Sequence, residues 1–204
     1  MRMNTKQHWD AVYGNKTPDQ VSWTQEKPEI SLQLIEATGL AKTAKIIDVG
    51  GGDSKLVDYL LEAGYQHITI LDISAKALEK AKKRLGEKAS KVRWIVSDIS
   101  TFEPEETYDL WHDRAAFHFL TSKEEIEHYQ AIASKCVRDS LIIGTFSKEG
   151  PTKCSGLEIS QYDAVELSKV FENHFTKIEC LSTNHETPFG TLQNFQFCRF
   201  RKLK

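Results

Sequence analysis

Two rhythms alternate along the middle of the chain. Short apolar runs end in glycine or aspartate, and each is followed by a stretch with apolar residues at helical spacing. Lys45–Val49 is the first such run, ending in Gly50-Gly51-Gly52, and the spacing predicts a helix from about Ser54 to Ala63. Ile68–Leu71 is a second strand ending at Asp72, with Ser74 as N-cap of a helix to about Leu85. Val92–Val96 ends at Ser97-Asp98. Tyr108–His112 precedes a helix through Glu124–Ser134, and Ser140–Phe146 is a fifth strand.

The two ends of the chain read differently. Residues 1–44 form a helical prelude: Trp9, Val12 and Tyr13 share one helical face. Ile30, Leu32, Leu34 and Ile35 belong to a second helix ending near Gly39. Between them, Asn15 to Pro28 contains Pro18, Trp23 and Pro28 and reads as an ordered loop. After Pro151, a helix is predicted over Gln161–Phe171, then strands over Phe175–Ser182 and Leu192–Phe200. Pro188 and Gly190 between those strands predict an antiparallel hairpin.

Strands alternating with helices imply crossovers and a parallel sheet. The expected fold is α/β, a Rossmann-like doubly wound mixed sheet with an antiparallel C-terminal strand. The chain is expected to form one domain over 1–204: a helical cap (1–44), a cofactor-binding core (45–146), and a loop, helix and hairpin (147–204).

Composition narrows the function. The 204 residues are 40% hydrophobic and 27% charged, as in a globular domain. A net charge of −2 argues against nucleic acid or an anionic membrane as the partner. No apolar run is long enough to span a bilayer, and Met1 to Trp9 is too polar for a secretory signal. The cysteines at 136, 154, 180 and 198 lie far apart without a CxxC pair, which fits reduced thiols in a cytoplasm rather than a disulfide framework. The seven histidines show no metal-ligand spacing.

Asp48-Val49-Gly50-Gly51-Gly52-Asp53-Ser54 is a strand-to-helix loop where backbone can approach a ligand. It is not a dinucleotide fingerprint, because Lys55 stands where the third glycine belongs, and Asp48 would repel a pyrophosphate. A carboxylate there suits a positively charged ligand. Asp72 lies twenty residues past Gly52, where an acid can accept both hydroxyls of a ribose. Asp98 with Ile99 can bond an exocyclic amine and pack on a purine. Three acids at three successive strand ends would lie in the crevice where open α/β sheets bind ligands; the simpler reading makes Asp48 and Asp98 strand-end caps.

Ile47-Asp48-Val49-Gly50-Gly51-Gly52, Leu71-Asp72-Ile73-Ser74 and Ser97-Asp98-Ile99 together resemble the successive motifs of class I S-adenosylmethionine-dependent methyltransferases. The resemblance implies S-adenosylmethionine as cofactor. It places Asp48, Gly50, Gly51 and Gly52 near the methionyl group, Asp72 and Ile73 at the ribose, and Asp98 and Ile99 at adenine. Trp23 would close over the sulfonium by cation–π attraction, or simply staple the N-terminal segment down.

Trp111-His112-Asp113-Arg114-Ala115-Ala116, with the later Gly150-Pro151, resembles the thiopurine and small-thiol branch of that family; here His112 is inserted and Ala115 replaces the usual glycine. The resemblance implies Arg114 on the substrate side, with Asp113 or His112 available as proton acceptor. The alternative is a structural Asp113–Arg114 ion pair. The opening His8-Trp9-Asp10-Ala11-Val12-Tyr13 instead is similar to protein lysine methyltransferases. The expected acceptor is a small molecule such as a thiol or acid, with a protein lysine as the alternative. A nicotinamide oxidoreductase and a non-catalytic binding module are the rivals outside the class. Cys154 reads as a packed bystander thiol, and His185 as an exposed turn residue rather than a base.

Overall fold

The computed structural model describes residues 5–204; Met1–Asn4, the start of the polar N-terminal segment, lie outside them. In chain order the elements are α1 (Thr5–Asn15), α2 (Glu29–Glu36), β1 (Lys45–Val49), α3 (Leu56–Glu62), β2 (His67–Asp72), α4 (Ala75–Leu85) and β3 (Val92–Val96). There follow β4 (Tyr108–Arg114), α5 (Lys123–Cys136), β5 (Val137–Phe146), a small hairpin β6 (Lys153–Cys154) and β7 (Leu157–Glu158), α6 (Ala164–Phe171), β8 (Phe175–Glu186) and β9 (Leu192–Lys202). Seven strands make one sheet in the order β3-β2-β1-β4-β5-β9-β8. The first five are parallel; β9 runs antiparallel to both β5 and β8. This is the expected mixed doubly wound sheet. The chain works outward from β1 to β3, then returns to β4 on the other side of β1, so a crevice opens at the carboxyl ends of β1 and β4.

The helices form where the apolar spacing predicted them, and their side chains set the ends. Ser74 caps α4, its hydroxyl accepting from the Ala77 amide at 3.3 Å. The same hydroxyl donates to Asp10 at 2.7 Å, which pins α1 to α4. Ser122 and Glu125 cap α5 reciprocally.

Successive strand side chains alternate faces, and this alternation divides the core. On one face Ile47, Trp111, Leu141, Ile143 and Phe200 pack with Tyr129 and Ala133 of α5 and Phe171 of α6. On the other, Ile46, Leu110, Ile142 and Phe197 pack with Leu34 and Ile35 of α2, Leu60 of α3 and Leu78 of α4. Among the described residues no helix is long and apolar enough to cross a membrane.

Three expectations need correction. β4 does not stop at His112 but continues through Arg114, paired with β5 as far as Gly144. β8 runs on to Glu186, so His185 is a strand residue paired opposite Gln193. It is buried, not an exposed turn residue, and its Nε2 donates to the Ser22 carbonyl at 2.6 Å. The four cysteines are not all reduced. The β8–β9 register sets Cys180 directly opposite Cys198, and the two form a disulfide, leaving Cys136 and Cys154 as buried free thiols.

One buried polar chain runs through the larger core. Trp111 Nε1 donates to Tyr129 Oη at 2.9 Å, and Tyr129 Oη donates to Asp113 Oδ2 at 2.8 Å. Tyr129→Phe leaves the indole N–H and one carboxylate oxygen unpaired in a dry core. It should cost about 1–3 kcal/mol in urea unfolding without changing ligand affinity at the cavity described next.

Candidate active site

The carboxyl ends of β1, β2, β3 and β4 and the N-terminal segment enclose a cavity of about 250 Å³. Its floor is the loop after β1. The amides of Gly50 and Gly51 both donate to the Leu71 carbonyl, at 2.8 and 3.2 Å, folding the loop onto β2. Gly52 has φ +50°, and a Cβ there would lie 2.7 Å from the Tyr13 hydroxyl and 3.2 Å from Asp72 Oδ2. Glycine therefore lets α1 and β2 close over the loop.

Of the residues singled out in the sequence, Asp48, Gly50, Gly51, Asp72, Ile73, Asp98, Ile99, Trp23, His112 and Arg114 all line this cavity. Gly52 sits behind it under Tyr13. Asp72 and Asp98 are also turn-holding acids, as the simpler reading had it for Asp98. Asp72 Oδ1 accepts from the Ser74 amide at 2.7 Å, and Asp98 Oδ1 accepts from the Ser100 amide and hydroxyl at 2.9 and 2.8 Å.

Asp113 is not part of the cavity wall. Alternation along β4 puts His112 and Arg114 on the cavity side and Asp113 on the opposite face. There its Oδ1 accepts from the Ala116 and Phe117 amides, both at 3.0 Å, and its Oδ2 is held by Tyr129. Asp113 thus ties down the turn after β4, in which Ala115 adopts φ 67° where a glycine would be unstrained. The supposed Asp113–Arg114 ion pair does not form, for the same reason. Arg114 Nη1 donates instead to the Trp23 carbonyl at 3.0 Å, its guanidinium lies 4.9 Å over the Phe195 ring, and its buried Nη2 has no hydrogen-bond partner among the described residues.

His112 is bonded on both nitrogens, to Asp48 Oδ1 at 2.7 Å and to Ser31 Oγ at 2.9 Å. Ser31 went unnoticed in the sequence, although a signal was there: it shares a helical face with Leu34 and Ile35, so its hydroxyl had to be buried. Trp23 packs edge-to-face on Trp9 at 5.6 Å and on Tyr13 at 6.0 Å, and Trp9 meets Phe119 at 5.2 Å. Trp23 is therefore both a cavity wall and a staple. Cys154 is buried at the cavity edge, and burial pushes its thiol up to about 12, so it stays protonated.

Electrostatically the cavity is acidic at its floor; of its basic lining residues Lys55 and Arg84 are paired with Glu26 and Asp58, and Arg114 is the one without a carboxylate ion pair among the described residues. Burial, helped by Asp53 and Asp48, raises Asp72 to about 7. Burial lowers Arg114 to about 10 while Asp48 opposes that fall, and Arg114 remains charged at neutral pH.

A family model described as a methyltransferase domain matches residues 46–139. That match, over just under half of the chain, supports an S-adenosylmethionine-dependent methyltransferase. Malonyl-[acyl-carrier protein] O-methyltransferase 1 of Ilyobacter polytropus is 31% identical to this chain over 108 residues, 52% of this chain and 40% of that protein. The eEF1A lysine and N-terminal methyltransferase of Mus musculus is 30% identical over 84 residues, 40% of this chain and 12% of the other. The chain spans less than half the length of these curated relatives. The crystal structure of the N-methyltransferase NodS from Bradyrhizobium japonicum, in complex with S-adenosylhomocysteine, shares the fold. It superposes with a TM-score of 0.74 at 16% identity, covering 99% of this chain and 100% of the other.

The donor set fits S-adenosylmethionine. A buried acidic floor suits an ammonium and a sulfonium, and the aromatic wall of Trp9, Tyr13, Trp23 and Phe119 suits a soft cation.

The raised Asp72 has a consequence for stability. The folded protein holds a proton on Asp72 that the unfolded chain has already lost near pH 4, so stability present at low pH is lost as the pH rises through about 7. The ligand-free protein should lose up to about 4 kcal/mol of unfolding free energy over that interval from this group. Asp113, raised by burial to about 6, adds to the slope. Asp72→Asn should flatten the profile, measured by urea denaturation at a series of pH values.

Proposed function

We propose that this methyltransferase transfers the methyl group of S-adenosylmethionine to a small acceptor that carries an anionic group. The observation that supports the reading is Arg114, a guanidinium at the cavity wall whose buried Nη2 has no partner among the described residues and to which none of their carboxylates is hydrogen-bonded. A buried charge in that state is costly until a ligand completes it. An acceptor carboxylate or comparable anion would do so with a charge-assisted bond. The malonyl group named for the Ilyobacter relative is of this chemical kind. A lysine ammonium, by contrast, would be repelled by Arg114, which weighs against the protein substrates named for the eEF1A methyltransferases.

In this reading Asp48 and the glycines Gly50, Gly51 and Gly52 hold the methionyl end, Asp72 and Ile73 the ribose, and Asp98 and Ile99 the adenine. Trp23 covers the sulfonium. The cofactor supplies an already activated methyl group. The protein's work is to hold the acceptor in line with it and keep water out, an effect worth on the order of 7–11 kcal/mol. Arg114 orients the acceptor from one side, and the Trp9–Trp23–Phe119 wall excludes water from the other.

Calorimetric titration with S-adenosylhomocysteine, with NAD⁺ as control, tests the cofactor half. Micromolar binding of the former alone is expected, and Asp72→Ala should weaken it about 10–100-fold, the value of one hydrogen bond to a charged group. Unchanged affinity in that variant would refute the ribose assignment. Arg114→Ala tests the acceptor half: turnover of acidic acceptors in a labelled-cofactor screen should fall about 100-fold, well beyond the smaller loss of S-adenosylhomocysteine affinity expected from freeing the Trp23 carbonyl. Methylation of protein extracts but not of small acids would favour the lysine reading.

A further inference from the structure

Ser31, His112 and Asp48 come from three elements that the sequence keeps far apart: α2, β4 and β1. Their side chains nevertheless form one continuous hydrogen-bonded chain, Ser31 Oγ to His112 Nε2 at 2.9 Å and His112 Nδ1 to Asp48 Oδ1 at 2.7 Å. All three are at least 97% buried, at 1%, 2% and 3% exposure, yet all three line the cavity. A carboxylate only accepts, so the Nδ1 proton belongs to the bond with Asp48. In the neutral imidazole Nε2 then accepts the Ser31 hydroxyl proton. That is the proton arrangement of an acid–base–nucleophile triad, which is recognised by geometry and roles, not by order along the chain. Methyl transfer to an anionic acceptor makes no use of a serine nucleophile.

We propose that Ser31, His112 and Asp48 are a nucleophilic triad that cleaves a short-chain ester or thioester in this cavity. Ser31 Oγ attacks the acyl carbon as its proton passes to His112 Nε2. The bond from the acyl carbon to oxygen or sulfur breaks, and His112 returns that proton to the leaving alkoxide or thiolate. A water molecule then loses a proton to His112 and attacks the acyl–Ser31 ester. The acid departs as Ser31 Oγ takes the proton back, so the sum is one ester and one water giving one acid and one alcohol or thiol. Asp48 holds the imidazole in its tautomer and stabilises the charge that His112 transiently gains. Ser31 lies in the first turn of α2, where the Glu29 amide is taken by the Lys27 carbonyl and the Leu32 amide by the Pro28 carbonyl; the Ile30 and Ser31 amides between them are the donors beside the nucleophile for the developing oxyanion. The activity needs neither the cofactor nor the methyl-transfer reading.

The test uses the full chain and two probes, a fluorophosphonate and p-nitrophenyl acetate. A single covalent adduct is expected, mapped to Ser31 by peptide mass spectrometry and absent from Ser31→Ala. His112→Gln should slow both labelling and p-nitrophenyl acetate cleavage at least about 100-fold, while a cooperative thermal transition shows that the variant is folded. The wild-type adduct is diagnostic by itself should His112→Gln not fold. No adduct at Ser31 in the folded wild-type protein would overturn the proposal. So would equal labelling of wild type and a folded His112→Gln variant, and the chain of bonds would then be a strut between α2 and the loop after β1.

Discussion

The parallel register between β1 and β4 governs this site. It sets Asp48 beside His112 across the one seam where the sheet reverses its direction of winding. Both side chains project to the same face because the pairing is in register, and both are buried because α2 covers that face. Two polar groups in such a place must satisfy one another. Their bond at 2.7 Å, extended to Ser31, joins the floor of the cavity to the helix that roofs it. A slip of one residue in either strand would turn Asp48 or His112 into the opposite core and disperse the site.

The same alternation explains why four consecutive polar or aromatic residues after Leu110 do unlike jobs. Trp111 and Asp113 belong to the core around α5, where Tyr129 bonds to both. His112 and Arg114 belong to the cavity. Asp113 still matters to the cavity from behind. Its bonds to the Ala116 and Phe117 amides hold a turn containing a left-handed Ala115, and so place Ala116 and Phe119 at the cavity wall.

The N-terminal segment is attached to the core mainly through polar anchors around an aromatic cluster. Arg114 takes the Trp23 carbonyl, His185 the Ser22 carbonyl, and Ser74 the Asp10 carboxylate. Burial and the nearby Arg114 keep His185 below its ordinary range, so it remains a neutral donor from Nε2. Cavity and cap are consequently one structure: the guanidinium that faces the cavity also fastens its lid.

The sequence by itself determined the α/β class, the succession of parallel strands along the chain and the acids at their ends. Apolar periodicity, glycine after a strand and aspartate at a strand end are local signals with direct steric or electrostatic causes. Arg114 was pointed out by the family resemblance alone; its place on the cavity side follows from the continuation of β4. Other features were decided only in three dimensions. Whether Asp113 faced ligand or core depended on how far β4 continued, and that rests on hydrogen bonding to β5. The burial of His185 followed from a hairpin longer than its turn residues suggested, and the pairing of Cys180 with Cys198 from the register that hairpin adopts. The helical face that Ser31 shares with Leu34 and Ile35 marked it as buried but not as a site residue, because nothing local distinguishes a serine that satisfies its own helix from one that meets a histidine eighty-one residues away. Local patterns report the conformation of a segment; which side chains become partners depends on packing between segments, and only the tertiary structure sets that.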